Sequence, residues 1–551
     1  MLCPQRKAWS ANPPAMSPDA PAPPLHPRRS GDRNVRWLLT ALLVCGLLLP
    51  LALVPIPPIL DYPNHLARMF VLAYGPHDRF FAQVYFQHWA IIPNIGIDMI
   101  MPQMLAVMSV YTAGRIMLGA ALLLPVLGTV AYSRSVLGVR SLWPLASGLV
   151  AYNSMFLLGF MNFLLALGAA LLTAAAWIRW RDQRPVATVA VVSVLALVIF
   201  FAHFFGLLFL GLLICAHELT VLWTRRDTLW PTLRFVALRL AACVAVFALP
   251  IVLYLASPLA RANDKPIWGT PAEKLYTLFD PILTYFGRAE VAIAVLVALV
   301  IAVCVSRRRA IVAPEALLAA VILLLLYPFV PTDMAAASYV DSRLPVMMAF
   351  LVFAGFAPRA LPRRTARVLI VSFGVIFLLR MALLVSVWLG QNQDVADLRR
   401  VISHVAPASR VLVVSLRRAD NIAYWDGMPR HRFAFSMPSF MHLPGMLVIE
   451  RDSIWPQLFT AATMQPLAVR PAYQNVTMGE SLLPDYHALA FDDPPPAFTR
   501  DAPYLEHWPS KFDYVLIMAA GGVSDLPSLS PDLLDLIDRT DIAALMRVHH
   551  P

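Results

Sequence analysis

Residues 37–68 read WLLTALLVCGLLLPLALVPIPPILDYPNHLAR, and they decide the fold class. Trp37 to Val54 is an apolar run of about 18 residues, close to the length an α-helix needs to cross the hydrocarbon core of a bilayer. A cleaved signal peptide has a shorter apolar core and a small-x-small cleavage site. Here the run passes into Val54-Pro55-Ile56-Pro57-Pro58, so it is expected to stay in the protein as a first membrane-spanning helix. The chain then turns polar at once, with Leu60-Asp61-Tyr62-Pro63-Asn64-His65-Leu66-Ala67-Arg68. If a helix starts here, Asp61, His65 and Arg68 fall at i, i+4 and i+7 on one face, directly above the membrane. The plainer alternative is an Asp61 that only caps the helix, with His65 and Arg68 extending along the interface.

The rest of the 551 residues repeats the apolar theme. Hydrophobic residues make up 59% and charged residues 14%, with a mean hydropathy of +0.66. Soluble domains run near 45–50% and about 25%, so the composition is that of a multi-pass membrane protein. Further apolar runs lie near 114–132, 142–157, 162–178, 186–201, 204–223, 235–255, 290–306, 311–330, 343–357 and 368–389, which predicts about eleven spans. The net charge of +11 is not spread evenly: residues 391–551 hold 13 Lys+Arg against 18 Asp+Glu, and residues 1–390 hold 31 against 15. A basic excess confined to the hydrophobic part is a topology signal rather than a nucleic-acid footprint.

With the N-terminus inside, the tail, Arg134/Arg140, Arg179/Arg181/Arg184, Arg225/Arg226/Arg234/Arg239, Arg307/Arg308/Arg309 and Arg359/Arg363/Arg364/Arg367 all fall on the cytoplasmic side. Together they account for 22 of those 31 basic residues. Residues 1–36, with eight prolines and no apolar period, are expected to be a disordered cytosolic tail. Residues 37–390 form the transmembrane domain. Its first outer loop, 56–112, contains Ile95 to Tyr111, an apolar stretch broken by Asp98 and Pro102 and expected as an interfacial or re-entrant helix. Residues 391–551 then lie outside as a small α/β domain, with helices predicted at Asp394–His404 and Pro531–Asp538 and strands at Val411–Val414 and Tyr514–Ile517. It has no P-loop, GxGxxG or GxSxG pattern. The five cysteines, Cys3, Cys45, Cys215, Cys243 and Cys304, all precede it and offer neither a disulfide framework nor a CxxC site.

Arg380 lies inside the last apolar run. At that depth an arginine costs roughly 2.5–3.5 kcal/mol on insertion scales, so it must face a cavity, a partner or a lipid phosphate. His203, in Phe200-Phe201-Ala202-His203-Phe204-Phe205, falls at an outer turn between two spans, where bonding to the backbone is its plainer reading. Asp532, Asp535 and Asp538 are spaced as a solvated helix face.

An outer carboxylate just after the first span, a long first outer loop, about eleven spans and a C-terminal outer α/β domain resemble the GT-C superfamily of polyprenyl-phosphate-sugar glycosyltransferases. The members the chain resembles in layout include the protein O-mannosyl and lipid A aminoarabinose transferases. The resemblance implies that Asp61 is the catalytic carboxylate, that Asp78 or Asp98 assists it, and that a divalent cation is a possible cofactor. Asp341-Ser342-Arg343-Leu344-Pro345 resembles the element whose arginine meets the donor phosphate, a role it assigns to Arg343, against the alternative of an interfacial anchor. Arg380 would share in phosphate binding, and His65, Arg68, His203 and Asp341 would support the site. The expected function is an inverting transferase of the bacterial-type inner membrane. It would take a sugar from a polyprenyl phosphate and pass it to a lipid- or glycan-type acceptor at the outer face. A transporter would show internal repeats and mid-membrane charge in several helices. A non-catalytic component of polysaccharide assembly would keep the fold without the donor site.

Overall fold

A computed structural model describes residues 30–224, 229–261, 265–335, 337–416, 431–435, 437–479, 482–491, 493–500, 502–518 and 532–550. Residues 1–29 of the tail, Arg225, Arg226 and Pro531 lie outside the described residues. The chain forms two units, residues 1–42 and 43–551. Of the first, the described part is helical from Ser30, so the helix begins inside the stretch predicted as disordered.

The elements run in chain order. Helix α1 (Ser30–Leu53) is followed by the first loop with α2 (Tyr62–Tyr74), α3 (Arg79–Val84), strand β1 (Tyr85–Gln87) and α4 (Gly96–Met104). Next come α5 (Val110–Leu137), a 3-10 segment Trp143–Val150, α6 (Ser154–Leu158), α7 (Met161–Trp180), α8 (Pro185–Ala202), α9 (Phe204–Thr224) and α10 (Leu229–Ala256). After them stand α11 (Pro271–Thr277), α12 (Gly287–Ser306), β2 (Ala310–Val312), α13 (Pro314–Leu326), α14 (Arg343–Gly355), β3 (Phe356–Pro358) and α15 (Arg363–Ile402). Among the described residues eight helices (α1, α5, α7, α8, α9, α10, α12 and α15) are long and apolar enough to cross a membrane, and α13 and α14 are shorter apolar helices.

That is ten apolar helices where eleven runs were read, and the difference is residues 142–157. This run still joins the two ends of the bundle. Trp143 packs on Phe353, Phe356 and Phe373 beside the antiparallel β2–β3 pair, where Arg307–Arg309 and Arg359 lie. The carbonyls of Leu157 and Leu158, at its other end, accept from the Leu60 and Asp61 amides. The run is broken because Asn153 intervenes: its Nδ2 donates to the Val150 carbonyl (2.8 Å), and its Oδ1 accepts from the Phe156 amide (3.0 Å), capping α6. Elsewhere the bundle is tightened by small residues. A Cβ on Gly168 of α7 would stand 2.4 Å from the Leu124 carbonyl carbon of α5, which sets how closely these two helices pack. Not all membrane-depth charge lies near the Asp61 end: Glu218 of α9 accepts from Trp177 (2.7 Å) and Arg239 of α10 (2.6 Å), which also reaches Asp182.

Helix α15 runs unbroken for 40 residues, through position 390, into the C-terminal part. There β4 (Val411–Ser415), β5 (Leu467–Val469), β6 (Tyr514–Met518), β7 (Leu534–Arg539) and β8 (Ala543–Val548) follow, with a four-stranded sheet in the order β4-β6-β8-β7. β4 and β6 pair in parallel and every residue in both is buried, as apolar runs covered on two faces should be. Val411, Val413, Leu516 and Met518 join the core shared with the helices, while Leu412, Val414, Val515 and Ile517 join a second core on the opposite face. The helix predicted at Pro531–Asp538 is instead, over its described residues, a turn at Asp532 and Leu533 leading into the edge strand β7. A register shift between Leu536 and Asp538 breaks the two-residue alternation, so Asp535 and Asp538, three apart, fit a bulged strand, with Asp532 in the turn before it. Asp538 there accepts two bonds from Arg400.

The first loop and the C-terminal part are knitted together. β1 pairs antiparallel with β5, and the buried Asn64 side chain donates to the Gln457 carbonyl (2.8 Å) and accepts from the Phe459 amide (2.9 Å).

Candidate active site

Asp61 precedes α2, yet its side chain makes no capping bond to the helix backbone. Its carboxylate instead points at a residue 381 positions later: Oδ1 stands 3.0 Å from Nδ1 of His442. Behind Asp61 is the turn after α6, where Gly159 has φ +98° and a Cβ would lie 2.8 Å from the Asp61 Cβ. Only glycine satisfies both demands. His442 is fixed by edge contacts to Trp455 and Phe459 (ring centroids 5.9 and 5.2 Å).

The companions expected on α2 are present in different roles. His65 meets the edge of Phe459 at 5.3 Å. Burial, then the charges of Arg68 and His442, pull its pKa well below the usual range, so it is a neutral imidazole. Arg68 is committed to Asp98 through Nε–Oδ1 (2.8 Å) and Nη2–Oδ2 (3.1 Å), both side chains buried. Burial raises the Asp98 carboxyl above its ordinary value against the pull of Arg68. Asp78 caps α3, accepting from the Phe80 and Phe81 amides at 2.9 Å. Neither candidate second carboxylate is thus free to act beside Asp61.

Arg343, the first residue of α14, is 5% exposed. Its guanidinium lies 5.2 Å from the Phe160 ring centroid and 4.9 Å from that of Phe205, and Nη2 donates to the Ser338 carbonyl (3.0 Å). Nε and Nη1 are buried without a hydrogen-bond partner. Phe160 follows Gly159, so Arg343 and Asp61 pack on neighbouring residues of one turn, while the acids whose charge acts on the guanidinium are Asp341 and Asp333. Tyr339 joins them, its ring 6.1 Å from Phe160. Burial, with Asp61, Asp280 and Asp333 nearby, raises its phenol above the usual range. His203 accepts from the Phe205 amide through Nδ1 (3.1 Å) and packs on Phe163, so it shares the Phe205 ring with Arg343. Asp341 holds the loop before α14 by pairing with Lys274 (2.5 Å) and accepting from Thr332 (3.0 Å).

Arg380, expected at the phosphate, has other partners: Glu290 (2.9 Å) and the carbonyls of Tyr152 (2.7 Å) and Ile282 (2.6 Å). A guanidinium paired with a carboxylate and bonded to two carbonyls keeps only its Nε without a partner. Three residues of this region escaped the sequence reading: His442, Glu290 and Asp280. Each is an isolated ionisable residue in an apolar stretch (Phe440-Met441-His442-Leu443, the start of the run 290–306, and Leu278-Phe279-Asp280-Pro281), and that isolation was the available signal.

Asp280 is 4% exposed, and burial pushes its carboxyl up to about 7 despite hydrogen bonds from Ser342 and Ser154, with Asp341 adding to the rise. Between the ordinary value of 3.8 and about 7 the native state keeps a proton that the unfolded chain has lost. Stability therefore falls as pH rises through that window, by on the order of 4 kcal/mol, and the loss is complete above it. Asp280→Asn removes this dependence. Its melting temperature should exceed that of the wild type at pH 8 and match it near pH 4, and equal differences at both pH values would refute the assignment.

Among the described residues no three His, Cys, Asp or Glu side chains are grouped to hold a metal ion. A divalent cation at Asp61 and His442 does not fit this donor set, and no step below passes through one.

The chain matches no family model and no curated protein. Among solved structures, ArnT from Cupriavidus metallidurans in the apo state aligns with a TM-score of 0.50 at 12% identity, over 94% of this chain and 98% of that one. The same protein bound to undecaprenyl phosphate gives 0.49 at 12% identity, with the same coverage. At this identity the likeness concerns the fold alone: the chain is a multi-pass membrane protein that shares the fold of ArnT.

Proposed function

We propose that this protein is a glycosyltransferase of the inner membrane that takes a sugar from a polyprenyl phosphate and transfers it to a lipid- or glycan-type acceptor at the outer face. The observation that carries the reading is Arg343, a buried cation with two unpartnered nitrogens that packs on Phe160, next in sequence to the Gly159 against which Asp61 lies. Buried guanidinium nitrogens left open in this way can give charge-assisted hydrogen bonds to an anion such as a phosphate. The fold held in common with ArnT supports it.

In the proposed reaction the acceptor hydroxyl oxygen attacks the anomeric carbon and its proton passes to Asp61. The bond from that carbon to the phosphate oxygen breaks, and its electron pair stays on the phosphate facing Arg343. The surrounding rings of Phe160, Phe205 and Tyr339 strengthen that charge contact by limiting water. The arginine-rich end, with Arg134, Arg179 and Arg307–Arg309, faces the cytosol, and so does the N-terminus. Residues 391–551 then lie in the periplasm with the Asp61 end of the bundle.

Undecaprenyl phosphate is the probe for the donor site. On full-length protein in nanodiscs, Arg343→Lys should weaken its affinity by about threefold to tenfold, because the charge remains but the guanidinium's spread of donors is lost, and Arg343→Ala by more. Wild-type affinity in the Ala variant would place the lipid phosphate elsewhere and end this reading.

A further inference from the structure

We infer that His442, contributed by the C-terminal part, is the positioning residue for the Asp61 carboxylate, an assignment that rests on the transferase reading and deepens it. The two groups stand 3.0 Å apart, with their side chains 12% and 15% exposed. The pair is a close contact rather than an aligned hydrogen bond, since Nδ1 has no hydrogen-bond partner in the structure; an ionised carboxylate only accepts, so in the working geometry a hydrogen on Nδ1 would turn onto Oδ1. Oδ2 is then left to take the acceptor proton.

The placement is built rather than incidental. The imidazole packs edge-on against Trp455 and Phe459, which holds the plane of its ring. The backbone that bears it cannot drift from α2, because a Cβ on Gly445 would lie 2.8 Å from the Pro63 carbonyl oxygen and Asn64 clamps Gln457 and Phe459. Phe459 also sits under the Arg68 guanidinium at 5.9 Å and against His65. One aromatic ring therefore sets the register between the helix carrying Asp61 and the segment carrying His442. A base gains from being held in line with its proton, and a carboxylate with one oxygen tied has lost most of its freedom to rotate away.

The test uses full-length protein in cells lacking the gene, with the envelope glycan or lipid that the wild-type gene restores quantified by mass analysis. His442→Ala should lower that product at least about tenfold, and His442→Asn, whose amide can donate from nearly the Nδ1 position, should recover most of it. Undecaprenyl phosphate affinity should stay at the wild-type value in both variants. In Asp61→Asn cells, adding His442→Ala should cause no further loss, since the second residue acts through the first. Wild-type product with His442→Ala would overturn the assignment. Equal loss in the Ala and Asn variants at normal affinity would overturn it in favour of proton relay through the imidazole, and loss of affinity in both would reduce His442 to packing. Failure of the transferase reading itself looks different: wild-type product from Asp61→Asn, or none from the wild-type gene, removes that reading and this role with it.

Discussion

Asp61→Asn is expected to lower the rate of sugar transfer by at least about a hundredfold, while the protein still inserts and still binds undecaprenyl phosphate. The substitution keeps the shape of the side chain and can still meet His442, so packing at Gly159 and the hold of α2 on the C-terminal part are preserved. What it removes is proton affinity at the atom facing the acceptor. Single-turnover transfer with purified protein separates the alternatives: unchanged affinity with lost turnover identifies a base, and near-normal turnover would leave Asp61 a structural residue. The helix-cap alternative already lacks support, because the side chain makes no capping bond.

The largest loss of stability is expected from breaking Arg380–Glu290. Arg380 ties α15 to Glu290 of α12, to the Tyr152 carbonyl of the broken segment and to the Ile282 carbonyl, and Glu290 also accepts from the Thr284 amide (2.7 Å) and hydroxyl. Both charges are buried, so removing either leaves the other unpaired in an apolar setting, at about 3–5 kcal/mol. Thermal unfolding in detergent should show Glu290→Ala and Arg380→Ala strongly destabilised, and Arg380→Met/Glu290→Leu less so than either single change. If Arg380→Ala instead kept full stability and lost undecaprenyl phosphate binding, the phosphate role expected from the sequence would be restored.

The difference between expected and observed roles follows from what each signal measures. Spans and their ends could be read because bilayer burial selects for length and apolarity, and arginines mark the ends. Asp61 and Arg343 could be singled out as candidates because a charge beside a span has few purposes. Periodicity does not see Asn153, whose amide ends one helical segment and starts the next, so 142–157 read as one helix. Nor does it tell a turn and bulged edge strand from a helix at Asp532–Asp538. The partners were hidden for a simpler reason: His442 meets Asp61 and Glu290 meets Arg380 across 381 and 90 positions, and no local pattern encodes such pairs.

The stitching of the first loop to the far end of the chain also sets an order of assembly. Asn64 waits for Gln457 and Phe459, 393 and 395 residues downstream, and β1 waits for β5. At about 5–20 residues per second a ribosome needs roughly 20–80 s to make the intervening chain. Throughout that interval α2 is present without its clamp, and Asp61 without its imidazole. Catalytic competence in the proposed enzyme would therefore arrive late and all at once, and a chain halted before position 442 would occupy the membrane without acting on the lipid carrier.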